Sequence, residues 1–331
     1  MKQLIILSMT ACLLAGCGIY PNYSRPNMEV KERYRNVETA DTTTIASLSW
    51  RELFTDIRLQ VLIEQGLQQN TDLRIAHLKV EEAEAVLMNA RLSYLPSLTL
   101  NPEAGIGRYD GMTSKTYSLN ASASWELDIF GKNTNAKRGA SEALEGSRDY
   151  AQAVRTRLIA TIADSYYTLL MLDRQLTIGQ RTLESWEKSI RTLEALKRAG
   201  QSNDAAVLQA QANRMALESS VLSIRKNISE TENALSALLA LPSQTIERGT
   251  LSETTFPESV SVGIPIQLLA NRPDVRQAER NLAHAFYATN AARAAFYPNI
   301  SLSGTLGWTN NGGGVILNPG HWPVSYTHLT L

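Results

Sequence analysis

Cysteine is almost absent from this 331-residue chain: Cys12 and Cys17 are the only two. Both lie near the start, so no disulfide framework can staple the body, and stability must come from packing. Net charge is absent too, with 32 basic residues against 32 acidic, so there is no basic surplus to suggest nucleic acid. Aromatic residues make up only 7%. Beyond the first residues no run of about 20 apolar positions could form a spanning helix, so a chain of this kind crosses a membrane with strands if it crosses one. The four histidines are His77, His284, His321 and His328, and none has metal-ligand spacing to another His, a Cys or an acid cluster. No nucleophile elbow, phosphate loop or dinucleotide fingerprint occurs, and "NNGGG" at 310–314 is a weak glycine run in a loop. These absences argue against an enzyme, a metal site and a bound cofactor.

The N-terminus is the most legible stretch. Lys2 supplies charge, Leu4 to Ala15 is mostly apolar, and Leu14-Ala15-Gly16-Cys17 follows. A charged start, a short apolar core and a small-residue exit make a secretory signal, too short to span a bilayer as a stable helix. The segment resembles a bacterial lipobox, which implies cleavage between Gly16 and Cys17 and lipid attachment at Cys17. Gly18, in place of an Asp, implies sorting to the outer membrane. One acyl chain holds a membrane marginally, and several anchor it firmly. From Cys17 to about Ser49 the chain is polar, with Pro21 and Pro26, and reads as an extended tether.

Two periodicities organise the rest. Ser49 is a candidate cap for a first helix, and Leu59, Leu62, Ile63 and Leu67 recur at helical spacing. A further helix is expected from Asn70 or Thr71 to a point before Pro96. The period then drops to two. Tyr117, Leu119, Ala121, Ala123, Trp125 and Leu127 share one face of an expected strand, and Ser118, Asn120, Ser122, Ser124, Glu126 and Asp128 the other. A weaker strand covers Leu98 to Leu100 and Ala104 to Gly107, with "RYDGMTSK" as a polar hairpin loop. Small polar residues on one face and apolar residues on the other fit the wall of an outer-membrane β-barrel, with Tyr117, Leu119, Ala121, Ala123, Trp125 and Leu127 facing lipid and Ser118, Asn120, Ser122 and Ser124 the lumen. A strand of a soluble sandwich alternates in the same way, and the lipobox favours the barrel.

Between Lys132 and Lys197 there is no proline, and glycine occurs only at 139, 146 and 179. Leu158, Ile162, Ser165, Leu169, Leu172, Leu176, Gly179, Leu183, Trp186, Ile190 and Leu193 form an unbroken 4-3 seam, the signature of coiled-coil packing. Gly200 suits a helix stop, and Ser202 or Asn203 a new start. The return helix is expected from about Asp204 to Leu239, with Val221, Ile224, Ile228, Leu235 and Leu238 in its seam, so the two helices form a long antiparallel hairpin. A loop rich in turn formers follows, then a helix from about Pro265 to Phe296, broken near Asn271 to Pro273.

"ARLSYLPSLTL" at Ala90 returns as "ARAAFYPNISL" at Ala292, an offset of 202 residues. The same offset pairs Asp72 with Asp274, Arg74 with Arg276, Ala83 with Ala285 and Pro96 with Pro298. The unit is a helix, a proline corner and a strand, written twice. Proline stops the helix and pushes the residue before it to extended geometry. Arg91, Tyr94 and Pro96, with Arg293, Phe296, Tyr297 and Pro298, mark the two corners, where a barrel would meet the membrane interface and aromatic rings are favoured.

With "NTDLRIA", "WELDIFGK" and "NRPDVRQAE" added to these phrases, the chain resembles the TolC-like outer-membrane efflux lipoproteins of the NodT/OprM type. The resemblance runs from Cys17 to about Pro323. It implies a mainly α protein with transmembrane β: three subunits close one twelve-stranded barrel, continued by a periplasmic α-barrel of long helical hairpins. It also implies a homotrimer acting as the exit duct of a tripartite pump, without catalytic residues, cofactor or metal, docked on a periplasmic adaptor and an RND-type inner-membrane transporter. The expected organisation is signal peptide 1–16, tether 17–49, periplasmic helices 50–97, barrel hairpin 98–130, long hairpin 131–240, equatorial loop 241–264, second-repeat helix 265–297, and second-repeat strand and loop 298–323. The family pattern continues with another strand and a second hairpin, whereas this chain has "VSYTHLTL", so 324–331 is expected to be a non-family tail and the sequence a C-terminally truncated fragment. The competing function is a lipidated periplasmic adaptor, which also carries a coiled-coil hairpin.

Overall fold

The computed structural model describes residues 20–26, 49–253, 271–310 and 324–330. Cys17, the signal peptide, most of the tether, and the expected start of a helix at Pro265 lie outside the described residues. The chain divides into two compact units. One comprises residues 1–28, 79–148 and 276–331, and the other 29–78 and 149–275.

The second unit is helical. Ser49 caps the four-residue α1 (Trp50–Leu53) in a full capping box with Glu52. Asp56 caps α2 (Ile57–Gln69), and Asn70 accepts from the Leu73 amide at the start of α3 (Thr71–Leu92). The expected long helix is α4 (Lys132–Arg198), 67 residues, about 100 Å at 1.5 Å per residue. It ends in a Schellman turn: the Gly200 amide donates to Lys197 and the Gln201 amide to Leu196, with Gly200 at φ +73. Asn203, one of the two expected caps, accepts from the Ala206 amide and opens α5 (Asp204–Leu238).

All eleven seam positions from Leu158 to Leu193 are buried or half-buried, and between Gln180 and Leu193 only the seam residues are withdrawn from solvent. The apolar period thus dictates which face of α4 meets α5. The main core joins Leu59, Ile63 and Leu73 to Leu158, Ile162, Tyr166, Leu169, Leu170, Leu235 and Leu239. Gly66 lies against Ile162 and Leu239, and Gly179 against Val221, where a Cβ would reach within 2.9 Å of the valine methyl. The segment after α5 is tied down by charge. Arg248 donates to Asp173 at 2.5 and 3.0 Å and to Glu232 at 2.5 Å, and the buried Tyr166 hydroxyl accepts from the Gly249 amide and donates to Asp56.

In the first unit the duplication is exact in the backbone. α3 (Thr71–Leu92) and α6 (Pro273–Ala294) have 22 residues each, and both bounds differ by the offset read from the sequence. The turns after them repeat bond for bond: Tyr94 to Arg91, Leu95 to Leu92 and Ser93 to Asn89 are matched by Phe296 to Arg293, Tyr297 to Ala294 and Ala295 to Ala291. α4 packs on α6 through its glycines, with Gly139 facing His284 and Tyr287, and Gly146 facing Arg280. Tyr23 of the tether rests edge-on against Phe286 and donates its amide to the Tyr287 hydroxyl, while Arg25 pairs with Glu279.

Among the described residues four antiparallel strands form one sheet in the order β1-β2-β3-β4: β1 (Ser97–Tyr109), β2 (Met112–Leu127), β3 (Ile300–Asn310) and β4 (Val324–Thr330). One expectation is corrected here. "RYDGMTSK" is not a loop: the strands run to Tyr109 and Met112, and the turn is only Asp110-Gly111, both at positive φ. Asp-Gly accepts the left-handed pair that a two-residue hairpin requires, so the ladder closes up to it. Residues 324–330, the expected non-family tail, form the fourth strand of this sheet. Val, Tyr and Thr in that stretch favour extended backbone, and the free edge of β3 supplies the ladder.

Candidate channel wall and membrane interface

The sheet register turns one alternating strand into two opposed surfaces. Leu98 faces Ala123, which faces Gly304, and Leu100, Ala121 and Leu306 form the next apolar row. Pro102 pairs with Leu119, Ala104 with Tyr117, and Trp125 with Leu302 on the same face, and Leu127 ends that row opposite Ile300. On the other face Ser97, Ser124 and Ser303 align, as do Thr99, Ser122 and Thr305. Asn101 pairs with Asn120, which lies over Gly307, and Glu103 with Ser118. A Cβ at Gly307 would collide with the Asn120 amide, so glycine there makes room for a polar side chain. Ser118 donates to Glu103 and Asn120 to Ser118, each at 3.5 Å.

From Ala121 to Ser124 the β2 residues are thus joined on each face by small, aliphatic or hydroxyl residues of the same kind from β1 and β3. The apolar surface carries an open groove of about 480 Å³, floored by Ala121, Ala123 and Gly304 and walled by Leu98, Leu100 and Leu306. Small residues between leucines make that relief. In the single chain both faces are at least partly open to solvent, so burial alone does not separate them.

The corner residues meet in a compact network. The Trp125 indole donates to the Tyr94 carbonyl at 2.9 Å, and the Tyr94 hydroxyl donates to Thr134 Oγ1 at 2.9 Å. Thr134 Oγ1 in turn donates to Asp128, whose carboxylate also accepts the Asn133 and Thr134 amides at 2.8 and 2.7 Å. Asp128 therefore stabilises the positive end of the longest helix while fastening it to the strand. At the second corner Tyr297 stacks on Phe130 with centroids 4.7 Å apart, and Phe296 stands 92% exposed. Arg91 and Arg293 occupy the last turns of their helices, where a cation suits the dipole. Pro96 and Pro298 lie between helix end and strand start in both copies.

Sequence reasoning placed the corner aromatics but missed Asp128, Thr134 and Phe130 as their partners. The phrase "ELDIFGKNT" carried a signal, an Asp followed by Gly131 at positive φ just before a helix. It also missed the Arg248 clamp, whose partners are distant in sequence. Gly16 and Cys17 lie outside the described residues. Among the described residues no cluster of three or more His, Cys, Asp or Glu could hold a metal ion, and no helix is long and apolar enough to cross a membrane.

A family profile described as "Outer membrane efflux protein" matches residues 62–241 and 264–318. Cation efflux system protein CusC of Escherichia coli O6:H1 is 31% identical over 304 residues, covering 88% of this chain and 65% of its own length. The probable outer membrane lipoprotein SilC of Salmonella typhimurium is 31% identical over 321 residues, covering 92% and 68%. The chain thus spans about two thirds of the length of these relatives. The crystal structure of the open state of the Neisseria gonorrhoeae MtrE outer membrane channel superposes with a TM-score of 0.83 at 29% identity, covering 95% of this chain and 72% of that one.

Proposed function

Because the chain belongs to the outer membrane efflux protein family, we propose that it is the outer-membrane duct of a tripartite efflux system in a Gram-negative cell. Its sheet contributes part of a trimeric barrel wall, and its α4–α5 hairpin contributes part of the periplasmic tunnel. Small molecules pass through passively, so no catalytic group or cofactor is needed. The observation that carries this reading is the matched pair of surfaces, hydroxyls and amides on one face and aliphatic residues on the other, continued across three strands. A wall between water and lipid uses both faces of one sheet in that way, and the family match favours it over a soluble sandwich, which alternates likewise.

Ser118, Asn120, Ser122 and Ser124 then line the lumen, and Tyr117, Leu119, Ala121, Ala123, Trp125 and Leu127 meet lipid. Lipidated Cys17 holds the N-terminus at the membrane, and the partners are two further copies, a periplasmic adaptor and an inner-membrane transporter. The adaptor reading of the chain itself gives way, since the family profile spans the duplicated segments on both sides of the hairpin. In planar bilayers, Ser122→Cys should lose conductance on reaction with a bulky, membrane-impermeant thiol reagent, and Ala121→Cys should not. Equal responses at the two positions would overturn the wall assignment. Radiolabelled palmitate should be incorporated into the protein and lost in Cys17→Ser.

A further inference from the structure

The outward face of β1 and β2 does not stay apolar to the turn. Register pairs Ile106 with Lys115 and Arg108 with Thr113, so Arg108 and Lys115 stand on the same face as Leu98, Leu100 and Tyr117, diagonal to each other across the two strands. Both are exposed, and neither has a carboxylate partner among the described residues. Asp110 lies in the turn and Glu103 on the opposite face, so the tip keeps a net positive charge on its outward side.

Their height is set by the two aromatic residues of the same face. Trp125 and Tyr117 are eight residues apart on β2, roughly 26 Å along the strand and about 20 Å of height at a 40° tilt. That separation nearly fills the apolar band of a barrel wall, about 25 Å tall and flanked by aromatic girdles. Trp125 is at the corner end, so Tyr117 marks the outer boundary. Lys115 follows two residues beyond it and Arg108 two further, roughly 5 and 10 Å higher, which is the depth of the head-group layer. The Asp110-Gly111 turn closes the hairpin directly above, so no long loop carries these side chains into bulk water.

We propose that Arg108 and Lys115 form a docking site for the phosphate groups of the anionic glycolipid in the outer leaflet, with Tyr117 and Ile106 against its acyl chains. The guanidinium can grip a phosphate bidentately, and the ammonium adds a point charge beside it. The proposal rests on the outward assignment of this face.

The test uses the purified full chain in detergent, with bis-phosphorylated lipid A, monophosphoryl lipid A, phosphatidylethanolamine and inorganic phosphate as separate probes. Bis-phosphorylated lipid A should bind best, and more weakly as salt rises. R108Q with K115Q should weaken it roughly tenfold or more, whereas R108K with K115R, and a control pair K188Q with K226Q on the hairpin, should change it less than twofold. Native affinity in the double glutamine variant would overturn the site. So would equal binding of phosphatidylethanolamine, or binding of inorganic phosphate as tight as that of the lipid. Thiol labelling at positions 117 and 118 checks the face assignment separately: loss of parity there would refute the wall geometry and the lipid site with it, whereas parity kept with native affinity in R108Q/K115Q would refute the lipid site alone.

Discussion

Arginine placed at Ala121 and at Ser122 tests the wall with two neighbouring positions. Ala121 lies midway between Trp125 and Tyr117, opposite Leu100 and Leu306. Four residues from each aromatic put it roughly 10 Å from either interface, near the bilayer midplane. An arginine on the lipid face there costs about 2–4 kcal/mol, a shift of roughly 30- to 900-fold in a folding equilibrium at 1.36 kcal/mol per decade. Ser122 is aligned with Thr99 and Thr305 on the polar face. A charge there stays in water, and the cost should be within about 0.5 kcal/mol. Urea titration of protein folded into lipid vesicles, followed by heat-modifiable gel migration, reads the difference. Equal destabilisation by the two variants, or a larger loss from Ser122→Arg, would refute the face assignment.

Gly66→Ala forces a methyl into the packed group of Ile162 and Leu239 and should destabilise the helical unit by about 1–3 kcal/mol, seen as a lower urea midpoint by circular dichroism. Ala240 closes α5 at φ +53, a conformation natural to glycine, so Ala240→Gly should raise stability by about 0.5–1 kcal/mol in the same assay. Burial, together with its hydrogen bond to Asp56, pushes the Tyr166 phenol up to about 12. Below pH 10 both folded and unfolded states keep the proton and its contribution is whole. Between pH 10 and 12 only the unfolded phenol ionises, so about 2–3 kcal/mol should be lost across that window. Tyr166→Phe should flatten this alkaline decline in unfolding curves, and a decline unchanged in that variant would assign it to other groups.

Much of this protein is determined by local rules. The absence of proline from 132 to 197 and an uninterrupted 4-3 seam suffice for one very long helix with one buried stripe, because neither property needs a distant partner. Gly200 and Asn203 end and restart the helix by satisfying nearby backbone groups. The duplicated helices and corners repeat to the residue because matched residues and the same proline act on the same local backbone. The alternation from Tyr117 to Leu127 specifies a strand with two chemically different faces.

The tertiary structure decided what those faces join. Register gathers Thr99, Ser122 and Thr305 into one row from three strands, and no local period encodes which residue sits opposite which. The sheet also decided the fate of 324–330, whose few β-favouring residues become a strand only because β3 offers an open edge. Arg248 meets Asp173 and Glu232 from far along the chain, so its clamp is invisible to periodicity. The Asp128, Thr134 and Tyr94 network likewise exists only once the corner has folded, since its members come from a strand end, a helix start and a turn that sequence distance keeps apart.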